Sequence, residues 1–290
     1  MPAPVVRPGT APAGRGRLWQ GLLGIAISVG FLVWALWGEN LGDVAARIRQ
    51  ADPWWFALSV VTVTLSFPLR SVRWRILLHS SMGEVPFAPV WRATAIGFMA
   101  NNVLPARAGE IVRSYAADRL VGVPFATALA SVAVERVFDG VIIVLLLAMG
   151  VAAPTFPAGA TLGSTGFEAL AISTASLFIG ALIVLIVLVR NKNRGLPVAE
   201  RLVRRVFPAR LADKSIGILH NLVAGMGVLH STRDVARVIL WSLVVWLVNA
   251  LSFWAAFRAF RVAVPASAAL VLQGVVAFGV AIPSAPGFFG

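Results

Sequence analysis

In a chain of 290 residues, 59% hydrophobic and 13% charged with a mean hydropathy of +0.85, there is too little polar surface to cover a soluble globule. The net charge of +13 does not imply nucleic acid, because the basic residues gather at the ends of apolar runs, as cytoplasmic loops of a membrane protein do. Zero cysteines exclude disulfides, thiolate metal sites and cysteine catalysis, and His79, His220 and His230 show no metal-ligand spacing.

Met1 to Gly16, rich in Pro, Ala, Gly and Arg, offers nothing to a core, so residues 1–17 read as a disordered cytoplasmic tail. Leu18 to Trp37 is about twenty residues of mostly apolar chain, enough to cross a hydrocarbon core of ~30 Å at ~1.5 Å per residue. Arg7, Arg15 and Arg17 put its start inside. Trp34 and Trp37 suit an interfacial belt better than a signal-peptide cleavage site. Leu41 to Gln50 places Leu41, Val44, Ala45 and Ile48 on one helical face and predicts a surface helix. A second span starts after Asp52-Pro53 at Trp54 and runs to about Leu69. Pro68 is expected to kink it or end it early, and Arg70, Arg73 and Arg75 to mark its cytoplasmic end.

Pro86 to Leu104 is apolar apart from Arg92, and a polar, helix-breaking segment follows: Asn102-Val-Leu-Pro105-Ala-Arg107-Ala-Gly109-Glu110-Ile-Val-Arg113. Topology decides how to draw it. Between Arg190 and Arg237 ten Lys or Arg stand against three acids (Glu200, Asp213, Asp234), so that loop is cytoplasmic. Phe167 to Val189 and Pro124 to Pro154 lead back from it through an uncharged outer loop, which puts Arg119 inside, on the side of Arg75. Pro86 to Leu104 and Glu110 to Leu120 therefore form a re-entrant hairpin that turns at Leu104 to Gly109. In the basic loop, Val198, Leu202, Val206, Leu211, Ile216, Leu219, Leu222 and Val223 recur near helical spacing. A solvated connector is preferred there to a helix gripping anionic lipid. Val238 to Phe257 spans outward, then Pro265 to Ile282 leads to a second break at Pro283, Pro286 and Gly287.

These later elements repeat earlier ones. Leu65-Ser-Phe67 recurs as Leu251-Ser-Phe253, Val85-Pro86 as Val264-Pro265, and Leu104-Pro105-x-x-x-Gly109 as Ile282-Pro283-x-x-x-Gly287, at offsets of 186, 179 and 178. The first copy enters from inside and the second from outside, the arrangement of inverted repeats with broken helices around a midplane site. Arg258 and Arg261 then fall outside, against the charge rule.

At the first break Pro105 stops a helix and Gly109 permits a tight turn, while the helix beginning near Gly109 points unpaired N–H groups at the turn. With the donor forks of Arg107 and Arg113 this makes an anion site; Glu110, three residues before Arg113, offers the alternative of simple neutralisation. A second charge group, Glu135, Arg136 and Asp139, lies inside the apolar run Pro124 to Pro154, with Glu135 and Asp139 on one helical face. Charges inside a membrane face the protein and pair. A bridge from Glu135 or Asp139 to Arg107 or Arg113 is expected, as a strut or as a relay.

The pattern N-x-x-L-P-x-R-x-G-E-x-x-R from Asn102, then E-R-x-x-D from Glu135 and P-x-x-P-G from Pro283, resembles the flippase-type transmembrane domain of lysylphosphatidylglycerol synthases and its stand-alone bacterial and archaeal relatives. The resemblance covers about Trp54 to Gly290. It implies an all-α, polytopic integral membrane protein of the cell membrane with two inverted repeats containing re-entrant broken-helix hairpins, over residues 18–290. It further implies movement of a phospholipid or lipid-linked substrate between leaflets, with Asn102, Arg107, Glu110, Arg113, Glu135, Arg136 and Asp139 as headgroup-site residues. No soluble aminoacyl-transferase domain is present, and the chain stops at Gly290 inside the second motif, which reads as a fragment. No enzyme activity, cofactor, metal or nucleic-acid partner is expected. The rival expectation is a membrane transferase using a lipid-linked donor, against which stand the missing His cluster, D-x-D pair and glycine-rich nucleotide loop.

Overall fold

The computed structural model describes residues 40–103, 108–157, 192–206 and 231–281, with shorter stretches between 161 and 183 and between 208 and 217. The expected tail and first span, Leu104 to Arg107 of the first break, most of Phe167 to Val189, and the second break at Pro283, Pro286 and Gly287 lie outside the described residues. Among the described residues the chain is helical, apart from a two-residue antiparallel ladder joining Thr161–Leu162 to Thr165–Gly166.

The helices are α1 (Leu41–Arg49), α2 (Pro53–Met82), α3 (Phe87–Val103), α4 (Gly109–Val121), α5 (Phe125–Val151), α6 (Lys192–Val206), α7 (Thr232–Ala259) and α8 (Ala266–Ala281). Their starts follow local rules. The Asn40 side chain accepts from the Gly42 N–H at the head of α1. Asp52 accepts from the N–H groups of Trp54 and Trp55 at the head of α2, where Pro53 sits in the first turn, and Ser231 accepts from the Asp234 N–H at the head of α7. Gly122, at φ 79°, takes the left-handed conformation that closes α4.

Helices α2 and α7 are long and apolar enough to cross a membrane, and only 22% and 39% of their most apolar windows are covered by protein. Val61 and Leu240, for example, point outward at 60% and 58% exposure. Outward faces of this kind match hydrocarbon rather than water.

The spine is an antiparallel pair, α2 against α7. The Asp52 N–H donates to the Ala259 carbonyl, Trp55 meets Trp254 edge-on at 5.2 Å, and the Ser59 hydroxyl donates to the Ser252 carbonyl at 2.9 Å. Helix α2 departs from the sequence expectation: it neither ends near Leu69 nor stops at Pro68, but continues to Met82. A proline inside a helix costs about 3 kcal/mol through its lost bond and ring clash. Beyond Pro68, however, α2 buries Arg70, Ser71, Arg73, Trp74, Leu77 and Leu78, and that packing outweighs the defect.

Helices α3 and α4 form an antiparallel hairpin with near-contact of their backbones. A Cβ on Gly97 would lie 2.6 Å from the Arg113 Cβ, and one on Gly109 would overlap the Gly97 carbonyl and the Asn101 side chain. Gly109 is thus required by close approach, not by a positive φ as the expected tight turn implied. Helix α5 runs between this hairpin and α8. Packing on one side of it is a core of Trp74, Leu77, Leu78, Val90, Val134 and Phe138; on the other, Ile142, Ile143 and Leu146 meet Trp246, Leu270 and Ala277.

Candidate functional site

Glu135 and Asp139 are the eleventh and fifteenth residues of the 27-residue α5, which puts them about 15 to 22 Å from its start and near its middle. One helical turn apart on one face, both are almost wholly buried, at 1% and 2% exposure. Carboxylates there need cations and donors to offset desolvation.

The main partner is Arg73, which sequence reading assigned to a cytoplasmic helix end. It is fully buried instead, with Nη1 and Nη2 on the Asp139 carboxylate, Nη2 2.9 Å from Glu135 Oε1, and a further bond from Nη1 to the Ser242 hydroxyl at 2.9 Å. Trp246 Nε1 donates to Asp139 Oδ1 at 2.7 Å. Asp139 is therefore gripped from α2 and α7 together. Arg70 is likewise buried, its guanidinium 4.7 Å from the Trp246 ring centroid and 6.0 Å from that of Phe98. The missed signal was spacing: Arg70 and Arg73, three residues apart, share a helix face once α2 continues through Pro68.

Arg113, in the second turn of α4, forms the expected bridge from hairpin to α5. Both terminal nitrogens reach the Glu135 oxygens at 3.2 Å, while the guanidinium lies 3.7 Å over the Trp74 ring. Trp74 is held in turn by Nε1 donating to the Ser131 hydroxyl at 2.8 Å. Glu110 does not neutralise Arg113; it pairs with Arg136 Nε at 3.3 Å. Arg136 also reaches Glu135 at 3.0 Å and Asp139 at 3.5 Å. Its side chain is 38% exposed and that of Glu110 30%, so this pair is the most exposed part of the described cluster.

Of the remaining sequence-predicted residues, Asn102 is exposed and its amide donates to the Phe98 carbonyl, whereas neighbouring Asn101, not singled out from sequence, accepts from the Gly109 N–H at 2.9 Å and ties the hairpin's two arms. Pro105 and Arg107 lie outside the described residues, as do Pro283, Pro286 and Gly287. Among the described residues no group of three or more His, Asp or Glu could hold a metal ion.

Long helices with apolar outer faces, closed over a nest of arginines and carboxylates at mid-length, define a helical membrane protein. The chain belongs to the family described as "Lysylphosphatidylglycerol synthase TM region", whose profile matches residues 21–290. It is similar to "Glycosyltransferase AglD" of Haloferax volcanii, 30% identical over 276 residues that make up 86% of this chain and 43% of that protein. It is also similar to a "UPF0104 membrane protein" of Methanothermobacter thermautotrophicus, 28% identical over 101 residues, 34% of this chain and 29% of that one. The chain spans less than half the length of these curated relatives. No solved structure matches.

Proposed function

We propose that this domain, residues 18–290, moves a phospholipid or lipid-linked substrate between leaflets of the cell membrane, with its N-terminus in the cytoplasm. The observation that carries the reading is the half-open Arg136–Glu110 pair at the rim of the buried cluster, at the head of α4. Charge at that depth, reachable from one side, suits a headgroup whose chains stay in the bilayer.

The helix arrangement supports an inverted repeat. Val85-Pro86 directly precedes the 17-residue α3, and Val264-Pro265 directly precedes the 16-residue α8. The hairpin starts at the α2 C-terminal end, where Arg75 Nε donates to the Val85 carbonyl. Helix α8 starts at the opposite end, where Ser267 meets Thr155 at 3.0 Å, and it runs antiparallel to α5, with Gly274 against Leu147. Continuing about 10 Å from Gly274 to Ala281 brings α8 to the level of Gly140 on α5, beside Asp139. Two short helices from opposite ends thus reach the depth of the cluster, which supports the re-entrant reading. In this reading Asn102, Arg107, Glu110, Arg113, Glu135, Arg136 and Asp139 surround the headgroup, and Pro105, Gly109, Pro283, Pro286 and Gly287 shape the two turns.

The test is leaflet exchange of a fluorescent phosphatidylglycerol in proteoliposomes, read by dithionite quenching. Protein-dependent exchange is expected, falling at least about tenfold in Arg136→Gln and Arg107→Ala, the loss of one charged hydrogen-bonding group. A second reading, a membrane domain of lipid-linked glycosyl transfer, is favoured by the relative named a glycosyltransferase. Sugar incorporation into lipid without leaflet exchange would select it.

A further inference from the structure

Within the cluster the described cations are Arg70, Arg73, Arg113 and Arg136, against the carboxylates of Glu110, Glu135 and Asp139. One positive charge is left over, and the contacts say which. Arg73, Arg113 and Arg136 each bind carboxylate. Arg70, only 9% exposed, makes no hydrogen bond or ion pair among the described residues; its partners are the rings of Trp246 and Phe98.

A ring satisfies the face of a guanidinium but not its edge, where five N–H donors lie in the plane. Arg113 shows the completed arrangement in the same molecule: its face lies on Trp74 and its edge on the two oxygens of Glu135. Arg70 has the tryptophan and lacks the oxyanion. Nor is it sealed. Arg70 keeps 9% of its surface exposed, and none of its nitrogens is among the wholly buried, unbonded side-chain atoms of the described residues, which in this cluster include the Nε of Arg73 and of Arg113. Trp246 is fixed by its bond to Asp139, and Phe98 lies one turn before Asn102 near the end of α3.

We propose that Arg70 is the residue that takes the substrate's anion: a singly charged phosphodiester, held bidentately at the guanidinium edge between the Trp246 and Phe98 rings. This rests on the lipid-transport reading and changes its centre, since Arg113 becomes an internal strut and Arg70 the headgroup ligand. The surplus of one positive charge among the described groups is what a single phosphodiester neutralises.

The experiment measures thermal stabilisation and binding of the detergent-solubilised protein by dihexanoyl phosphatidylglycerol, with dihexanoylglycerol, glycerophosphoglycerol and inorganic phosphate as comparison probes. The parent is expected to bind the phospholipid and not the phosphate-free diglyceride. Arg70→Met is expected to bind at least about tenfold more weakly, yet to melt no lower than the parent without probe, since it removes an unpaired buried cation. Arg70→Lys, which keeps the charge and loses the fork, is expected to fold and to bind several-fold more weakly. Binding by both variants within about twofold of the parent would overturn the assignment, as would equal binding of the diglyceride. If Arg136→Gln loses binding while Arg70→Met keeps it, the Arg70 assignment fails and the transport reading stands. If free phosphate or glycerophosphoglycerol binds as well as the lipid, or Arg70→Met loses binding in a protein that exchanges no lipid, the assignment stands and the transport reading falls.

Discussion

The two halves of α5 are held by opposite means. From Glu135 to Asp139 the helix is fixed by charge, with arginines from α2, from α4 and from its own next position converging on two carboxylates. From Ile142 to Gly150 it is fixed by shape: Gly150 admits Val271 and Ser267 of α8, and Gly274 admits Leu147. The difference separates adhesion from alignment. Apolar contact holds helices together but tolerates sliding, whereas a bidentate arginine on a carboxylate accepts one register and one rotation. The aligned half is the one that meets α4, where the proposed headgroup site needs fixed geometry.

The largest expected way to break this contrast is Asp139→Ala, which strips Arg73 and Arg136 of a partner and leaves the Trp246 N–H unbonded. Its cost should be about 3–5 kcal/mol in reversible unfolding in detergent, and the double variant Arg73→Met/Asp139→Leu should recover much of it. A double variant no better than Asp139→Ala would show that the pair does more than neutralise itself. Next comes Gly109→Val, where the new side chain meets the Gly97 carbonyl and Asn101; about 1–3 kcal/mol should be lost, with the α3–α4 hairpin opening first in hydrogen exchange. The smallest effect concerns Gln273, buried on α8 with neither amide atom bonded among the described residues. Gln273→Leu should raise the stability of the apolar half by about 1 kcal/mol. A loss instead would mean that the amide has a polar task and that this half is not held by shape alone.

Much of the site was legible in the sequence because intramembrane charge is rare enough to stand out. Glu135 and Asp139 at i, i+4, and Arg113 within a broken segment, announced a bridge, and the structure forms it between Arg113 and Glu135. The start of α3 and the ends of α4 also followed, since a Val-Pro start and a closing glycine are local signals. Arg70 and Arg73 were misread because an arginine row after the apolar run from Trp54 to Leu69 looks like a helix end. Only the partners on α5 and α7, more than sixty residues away, turn it into a core. The pairing of Glu110 was missed for a similar reason: Arg113 is its neighbour in sequence, but Arg136 is its neighbour in space.

By itself the chain determined that it is a helical membrane protein, where most of its described helices begin, and which buried carboxylates require cations. These follow from local chemistry: run length, caps, proline, and the cost of charge in hydrocarbon. Tertiary structure alone decided which arginine meets which carboxylate and which arginine is left without one, because that depends on helix faces brought together from distant parts of the chain.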